Sequence, residues 1–305
     1  MIRAAFFGTP AEAVPVLAGL LEAAVVEFVV TRPDAPRGRS GDLVPPPIKL
    51  AAESAGLRVL QPRRPAEILD EAAGVDVAVL AAYGLLIPGP LLNAPGAGFI
   101  NLHFSLLPRW RGASPVVRTI LAGDALGGVA LIRMDEGLDT GPIYASASTP
   151  VGAEETSGEL TGRLAVLGGE LLARTLPAVV EGTIVAAPQD DSRATAAGKV
   201  GVAEAFVDPA RHRTGTVHRA VRAFNPKPGA WGIVDGERLK LWRVARIDDT
   251  APPGTAILAE DRVLLGCADG VVELVELQPA GRSIMSALAW MHGRRGKPAL
   301  FESAA

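Results

Sequence analysis

Four short apolar runs, separated by segments long enough for helices, dominate the first hundred residues. They cover residues 2–7, 25–30, 75–81 and 99–103, with Gly, Pro or Asp close to their ends. Between them, the apolar spacing of residues 11–23 and 48–55 predicts helices. Alternating strands and helices are typical of a mostly parallel sheet that is covered on both faces. The sequence therefore predicts an open α/β domain over residues 1–188.

The turn after the first apolar run contains a single glycine, in Gly8-Thr9-Pro10. A dinucleotide-binding turn uses three glycines, and Pro10 suits the first turn of a helix instead. We therefore expect a sheet that is Rossmann-like in architecture but does not bind a nicotinamide dinucleotide. In open sheets of this kind ligands bind beyond the carboxyl ends of the strands, where residues 101–103 lie.

Beyond residue 188 the sequence changes character. Residues 189–206 are polar and irregular, as in a linker, and residues 207–305 contain short runs separated by turn pairs such as Asp235-Gly236. The runs at 231–234, 239–244, 254–258, 263–267 and 271–277 are predicted strands. Strands of this length and spacing predict a small, OB-like β-barrel as the C-terminal domain.

Charge, hydropathy and cysteine content limit the partners and the compartment. Residues 207–305 carry 14 Lys and Arg against 11 Asp and Glu, in a chain of net charge −3. A polyanion would prefer this basic part, but chance asymmetry of a solvated surface explains the charges equally well. The longest apolar stretch, residues 77–92, is interrupted by Gly and Pro and is shorter than the roughly 18 residues of a membrane span. The only cysteine, Cys267, is predicted to be a buried thiol, so we expect a cytoplasmic protein without a disulfide.

Two polar residues end the fourth apolar run. Asn101 and His103 are two positions apart and therefore share one face of a strand. An amide that donates to a developing oxyanion and an imidazole that moves a proton suit attack on a carbonyl carbon. Asp139, between Gly137 and Gly141, is placed to orient His103. Such residues at strand ends also cap turns, and spacing alone leaves both interpretations open.

Other catalytic patterns are absent from the sequence. It contains no G-x-S-x-G elbow and no Walker loop, and its one Cys and four His are not spaced as zinc ligands. We therefore expect neither covalent catalysis nor a metal site.

The segment 101–112, which reads Asn-Leu-His-Phe-Ser-Leu-Leu-Pro-Arg-Trp-Arg-Gly, and the later Leu138-Asp139-Thr140-Gly141 resemble the signature of the folate-dependent formyltransferases. Residues 105–112 resemble in particular the branch of that family that formylates methionyl-tRNA. Similar segments follow in order along both predicted domains, at residues 6–10, 31–34, 81–84, 222–226 and 277–281. The resemblance therefore covers nearly the whole chain.

The resemblance implies a metal-independent transfer of the formyl group of 10-formyltetrahydrofolate to the amino group of methionyl-initiator tRNA, for translation initiation. Asn101, His103 and Asp139 match the catalytic trio of the family. Asn101 and protonated His103 would stabilise the oxyanion, while Asp139 would hold His103 and help to remove the proton of the amine. A monomer is implied, with the charged tRNA and the folate as partners. The folate cleft would be lined by Tyr83, Gly84, Leu85, Leu86, Ile87, Pro88, Ser105, Leu106, Leu107, Pro108, Asp135, Glu136, Gly137 and Leu138.

The Pro-, Gly- and Arg-rich segment 31–47 is too long for a plain connection and predicts a functional loop. Residues 34–49 resemble the insertion that reaches the acceptor end of the tRNA in the family, with Arg37, Arg39 and Lys49 as expected contacts. Relatives that act on glycinamide ribonucleotide, sugar nucleotides or formyltetrahydrofolate itself share the trio and stay open as alternatives. A non-catalytic RNA-binding protein is the alternative of a different class. The Arg-rich loop and the basic second domain favour the tRNA acceptor.

Overall fold

A computed structural model describes residues 1–36 and 41–303 of the chain, which form two compact units. The first unit comprises Met1–Pro115, Leu126–Pro150 and Thr161–Ala197, and the second comprises Val116–Ala125, Val151–Leu160 and Gly198–Ala305. The strands are β1 (Arg3–Gly8), β2 (Val25–Val30), β3 (Ala35–Pro36), β4 (Leu43–Val44), β5 (Val59–Leu60), β6 (Val77–Ala81), β7 (Phe99–His103), β8 (Leu126–Arg133), β9 (Ile143–Pro150), β10 (Ala230–Val234), β11 (Glu237–Ile247), β12 (Thr255–Ala259), β13 (Arg262–Cys267), β14 (Gly270–Pro279), β15 (Met285–Ser286) and β16 (Ala299–Glu302). The α-helices are α1 (Val14–Ala23), α2 (Pro47–Ser54), α3 (Leu69–Ala73), α4 (Gly89–Leu92), α5 (Pro115–Ala122), α6 (Ser157–Val180), α7 (Thr214–Ala223) and α8 (Ala287–Gly293).

The first unit is built on a seven-stranded sheet of order β5-β2-β1-β6-β7-β8-β9. The strands from β5 to β7 are parallel, whereas β8 and β9 are antiparallel to their neighbours. All residues of β6 and β7 are buried, which explains why both strands are almost wholly apolar in sequence. The predicted open, mostly parallel, Rossmann-like sheet is confirmed.

The second unit contains a closed antiparallel barrel. Its strands follow the order β11-β10-β16-β12-β13-β14, and pairing of β11 with β14 completes the ring. Alternate residues of β10 are buried, as expected for a strand with one face on a core. Closure leaves no unpaired barrel edge to attract another strand. The predicted small β-barrel is confirmed, and six strands close it.

Cys267 lies at the end of β13 in the barrel core and is 2 % exposed. Burial raises the pKa of its thiol to about 11, so the thiolate is scarce at neutral pH. The prediction of a buried thiol is confirmed by this position.

The helical spacing of the leucines in residues 156–181 predicts a long helix, and α6 begins and ends within one residue of these limits. Its first turn is a capping box, in which the Glu159 carboxylate accepts hydrogen bonds from the backbone N–H and the hydroxyl of Thr156, each at 2.8 Å. Thr156, together with Arg243, lowers the pKa of Glu159 to about 2. Local side chains thus define where this helix begins.

The domain limits 1–188, 189–206 and 207–305 stay a prediction. The structure assigns residues 189–197, the first half of the predicted linker, to the first compact unit. Within the two described ranges, no helix is both long and apolar enough to span a bilayer.

Candidate active site

Strand β7 carries two polar side chains to one face of the sheet. Asn101 and His103 are 8 % and 6 % exposed, and the intervening Leu102 packs on the other face, towards Gly168 of α6. The period-two alternation of a strand explains this arrangement without any long-range contact. The shared face predicted from the sequence is present.

Asp139 brings a carboxylate to both side chains. Its Oδ1 accepts a hydrogen bond from Asn101 Nδ2 at 3.2 Å, and its Oδ2 accepts one from the backbone N–H of Gly112 at 2.9 Å. The same Oδ2 lies 3.5 Å from His103 Nδ1. Asp139 itself has a left-handed backbone, with φ of 53°, which L-residues adopt only when surrounding contacts hold them there. The three side chains of the predicted trio therefore converge.

The contacts of His103 define its tautomer. Its Nε2 lies 2.9 Å from the carbonyl oxygen of Trp110. Because a carbonyl only accepts, Nε2 must carry the hydrogen, and Nδ1 faces Asp139. Nδ1 is therefore the ring atom that can take up or release a proton, and it lies next to the Asp139 carboxylate.

A cleft of about 290 Å³ opens beside Asn101 and Asp139. Its walls are mainly apolar, and two of their leucines, Leu86 and Leu138, are 86 % and 71 % exposed. Exposed leucines next to a few fixed polar groups are typical of a site for a small ligand with an apolar face. The cleft is lined by Leu80, Leu85, Leu86, Ile87, Asn101, Ile132, Met134, Asp135, Glu136, Gly137, Leu138 and Asp139.

Some residues expected to bind folate lie outside the lining of this cleft. Tyr83 is 1 % exposed in the core, where its ring contacts Phe7 edge to face with centroids 5.5 Å apart. Burial raises the pKa of Tyr83 to about 12, and its hydroxyl has no hydrogen-bond partner within the described part of the chain. Ser105 is also buried, and its Oγ donates to the carbonyl of Arg109 at 2.6 Å. The others are Gly84, Pro88, Leu106, Leu107 and Pro108.

Leu107 shows how a residue of such a loop can lie outside the cleft. Leu107 packs against Ala130 and Ile132, so its apolar side chain stabilises the sheet. A loop sequence shows that its residues lie near a site but not which side chains turn inwards. Folate contact at these positions stays a prediction.

The residues expected to bind tRNA are only partly described. Arg37 and Arg39 lie outside the described residues. The Lys49 ammonium donates to both oxygens of Asp34, at 3.0 and 2.8 Å, and the Gln61 amide donates to the same carboxylate at 2.8 Å. These hydrogen bonds, that of Lys49 first, lower the pKa of Asp34. The Lys49 ammonium is therefore already bound to Asp34. If it contacts a phosphate, it does so while it remains part of the Lys49–Asp34–Gln61 cluster.

Several groups at the site were not predicted. Leu80, Ile132 and Met134 complete the cleft, and in the sequence these apolar residues, in or next to strands, resemble any core residue. The Trp110 carbonyl and the Gly112 N–H are backbone groups, although both lie in the signature segment 101–112. Gln189, whose amide contacts the Asp139 loop, lies in the segment that resembles a linker. Within the described ranges, no cluster of three or more His, Cys, Asp or Glu side chains is arranged to hold a metal ion.

Comparison with known proteins identifies the family of the chain. The family model described as "Formyl transferase" matches residues 2–176, and "Formyl transferase, C-terminal domain" matches residues 199–295. Methionyl-tRNA formyltransferase of Clavibacter sepedonicus is 43 % identical over 302 residues, which are 96 % of this chain and 97 % of that protein. The enzyme of the same name from Leifsonia xyli subsp. xyli is 42 % identical over 98 % of this chain and 100 % of its own length.

A solved structure shares the fold at lower identity. The N-formyltransferase of Helicobacter canadensis, in complex with folinic acid and dTDP-3-aminofucose, superposes with a TM-score of 0.69 at 18 % identity, over 92 % of this chain and 100 % of that one. At such identity the superposition shows the fold alone, whereas the full-length matches above 40 % identity show the family. The chain belongs to the methionyl-tRNA formyltransferase family of formyl transferases.

Proposed function

We propose that this formyl-transfer enzyme takes its formyl group from 10-formyltetrahydrofolate, bound in the cleft beside Asn101 and Asp139. The enzyme transfers the group to the amino group of methionine on tRNA, for translation initiation. The observation that carries the assignment of the site is the Asp139 carboxylate, which contacts Asn101 and lies beside His103 at the wall of the cleft. Family members use folate derivatives, and the apolar cleft with exposed Leu86 and Leu138 suits the flat ring system of a folate.

Asn101 is the direct donor to the formyl oxygen in this proposal. The amide has two N–H groups, of which one is bound to Asp139 and the other is available at the cleft wall. When the amine attacks the formyl carbon, negative charge develops on the formyl oxygen, and a fixed N–H donor stabilises that charge. His103 does not line the cleft, so it reaches the oxygen only by releasing the Trp110 carbonyl.

His103 and Asp139 handle the proton. The attacking amine must lose a proton, and the nitrogen of the departing folate must gain one. Asp139 lines the cleft and lies next to His103 Nδ1, so the pair can accept the first proton and supply the second, directly or through water. The charge of the pair is then restored at the end of each turnover, and no covalent enzyme adduct or metal is needed.

The tRNA is bound, in this proposal, by the loop with Arg37, Arg39 and Lys49 and by the basic residues of 207–305. Residues that neutralise phosphates release counterions, so affinity for tRNA is expected to fall as salt rises. A flat salt response would contradict phosphate binding. We further infer a monomeric, cytoplasmic enzyme, which light scattering on the purified protein and cell fractionation would test.

The decisive experiment measures formyl transfer from labelled 10-formyltetrahydrofolate to charged initiator tRNA. Elongator methionyl-tRNA and an aminosugar nucleotide serve as competing acceptors in parallel reactions. We expect rapid transfer to the initiator species and little to the other two. Transfer to the sugar nucleotide but not to tRNA would overturn the acceptor assignment, and folate binding without any transfer would favour a non-catalytic role.

A further inference from the structure

Residues 187–197, here called the strap, run beside both loops that complete the site. One end pairs with β9, where Ala187 and Ile143 exchange two backbone hydrogen bonds of 2.8 Å. The other end pairs with the 105–114 loop, where the Arg111 N–H donates to Thr195 O at 2.8 Å and the Ala197 N–H donates to Arg111 O at 2.6 Å. All of these residues belong to the first unit. The strap is therefore attached to the two loops that supply the Asp139 carboxylate and the Trp110 carbonyl.

Gln189 of the strap uses its whole amide group in this contact. Its Nε2 donates to the carbonyl oxygens of Asp139 and Gly141, at 2.8 and 2.7 Å. Its Oε1 accepts from Arg111 Nε at 3.0 Å and from Nη2 at 2.8 Å. An amide offers two donors and two acceptor sites, so all of its positions are filled. The Arg111 charge polarises the amide and thereby strengthens the two bonds to the Asp139 loop.

Thr195 makes the equivalent contact on the other loop. Its Oγ1 accepts the backbone N–H of Trp110 at 2.9 Å. Trp110, like Asp139, has a left-handed backbone, with φ of 65° against 53°. Non-glycine residues keep this conformation only where neighbours hold them, and such residues gather at functional sites. The strap thus holds both of these left-handed residues. Thr195 accepts the N–H of Trp110, and Gln189 donates to the carbonyl oxygen of Asp139.

We propose that Gln189 and Thr195 are positioning residues of the formyl-transfer reaction: they fix the Asp139 carboxylate and the Trp110 carbonyl on either side of His103. This inference rests on the proposed roles of Asn101, His103 and Asp139. Neither residue touches the reacting atoms, so each acts through the groups that it holds. Displacing a catalytic group by about 1 Å costs on the order of 100-fold in rate, which is the effect that the strap prevents.

Two substitutions at Gln189 separate its contacts. Gln189→Glu keeps acceptors for Arg111 but replaces the donor to the Asp139 and Gly141 carbonyls by an oxygen, whereas Gln189→Met removes every hydrogen bond at similar length. We expect both to lower kcat by roughly 10- to 100-fold, with KM for the charged tRNA changed by less than about 3-fold. Ser192→Ala is the matched control, because it removes only the hydrogen bond from the Ser192 hydroxyl to Asp190, which stays within the strap. Its kcat should equal that of the wild type.

A double-mutant cycle distinguishes positioning from general destabilisation. If Gln189 acts through Asp139, Gln189→Met should lower kcat by less than about 3-fold in an Asp139→Asn background. Equal losses in both backgrounds would overturn the inference. Thr195→Val and Thr195→Ser form a second pair, since serine retains the oxygen that valine lacks. Only the valine variant should lose kcat, and this pair decides the question if the Gln189 variants fail to fold.

The outcome is separable from that of the proposed function. If wild type and Ser192→Ala transfer formyl to tRNA and both Gln189 variants match them, the positioning role is wrong while the function stands. If the wild type transfers no formyl group to tRNA while Gln189→Met and wild type both bind folate, the result contradicts the proposed function itself, and with it the positioning role that rests on that function.

Discussion

Two histidines of this chain are nearly buried beside a carboxylate, one in each unit. The side chain of His103 in the first unit is 7 % exposed, and that of His218 in the second is 6 % exposed. The His218 pair has the shorter contact, with Nε2 2.9 Å from Glu154, whereas His103 Nδ1 lies 3.5 Å from Asp139. Judged by distance alone, His218 would be the better candidate.

The carboxylates make the difference. Asp139 is 13 % exposed and is held by the Gly112 N–H and the Asn101 amide, whereas the Glu154 side chain is 57 % exposed. Asp139 also borders a cleft. A catalytic pair needs a partner fixed by other donors and space for a substrate, and a short histidine–carboxylate contact alone supplies neither.

The largest expected effect comes from changing the polar groups of β7. Asn101→Ala removes the proposed donor to the oxyanion and should lower kcat by roughly 100- to 1000-fold. His103→Gln should lower kcat by about 100-fold or more, because glutamine cannot shuttle the proton. His218→Gln is the matched control and should leave kcat unchanged. Near-normal turnover of a folded Asn101→Ala enzyme in steady-state assays would contradict the assigned site.

The carboxylates themselves provide the next test. Asp139→Asn turns an NH₂ group towards either the Gly112 N–H or the Asn101 amide, and it removes the negative charge beside His103. We expect kcat to fall by about 100-fold. Glu154→Gln, by contrast, should change the free energy of unfolding by less than about 1 kcal/mol and leave kcat intact, because the Glu154 side chain is 57 % exposed and water screens its contact with His218. Equal kinetic losses in both variants would remove the distinction between the two sites.

The backbone donor to Asp139 can be tested at Gly112, which has φ of 122°. A Cβ at this position would lie 2.7 Å from the carbonyl oxygen of Ala197 in the strap. Gly112→Ala should therefore lower the free energy of unfolding by about 1–3 kcal/mol and lower kcat by roughly 10-fold.

Gly56→Ala is the control for this change. Gly56 also has a left-handed φ, of 71°, but a Cβ would meet nothing within 4 Å. Because this change introduces backbone strain but no clash, we expect the free energy of unfolding in urea to fall by about 1 kcal/mol and kcat to stay unchanged. A loss of kcat in both glycine variants would show that the loss comes from lower stability and not from a change at the site.

The smallest expected effect concerns pH and His218. Burial lowers the pKa of His218, although Glu154 opposes the change. Near pH 6.5 the unfolded chain therefore binds more protons than the folded one, so acidification through this range destabilises the protein. His218→Gln should lose less stability than the wild type between about pH 7.5 and about pH 5.5 in urea unfolding. Parallel curves for the two proteins would mean that His218 does not contribute to the pH dependence.

The local pattern of the chain was sufficient for much of the fold. Continuous apolar runs predicted the buried parallel strands, and alternating runs between turn pairs predicted the barrel. The common face of Asn101 and His103 followed from strand periodicity, and helix α6 followed from its apolar spacing. All of these depend on interactions between residues that are close in sequence.

The tertiary structure decided the groups that surround the trio. In the folded chain the Trp110 carbonyl is hydrogen-bonded to His103, and the Gly112 N–H donates to Asp139. The Tyr83 phenol lies in the core, and Lys49 is paired with Asp34. The role of Gln189 could not be predicted from the sequence. A polar residue that makes hydrogen bonds to a distant loop looks the same in the sequence as a polar residue of a linker. Backbone groups carry no identity in the sequence, and their roles depend on contacts between segments far apart in the chain. The residue types proposed to perform the chemistry were thus readable from the sequence, whereas the groups that contact them became visible only once the chain was folded.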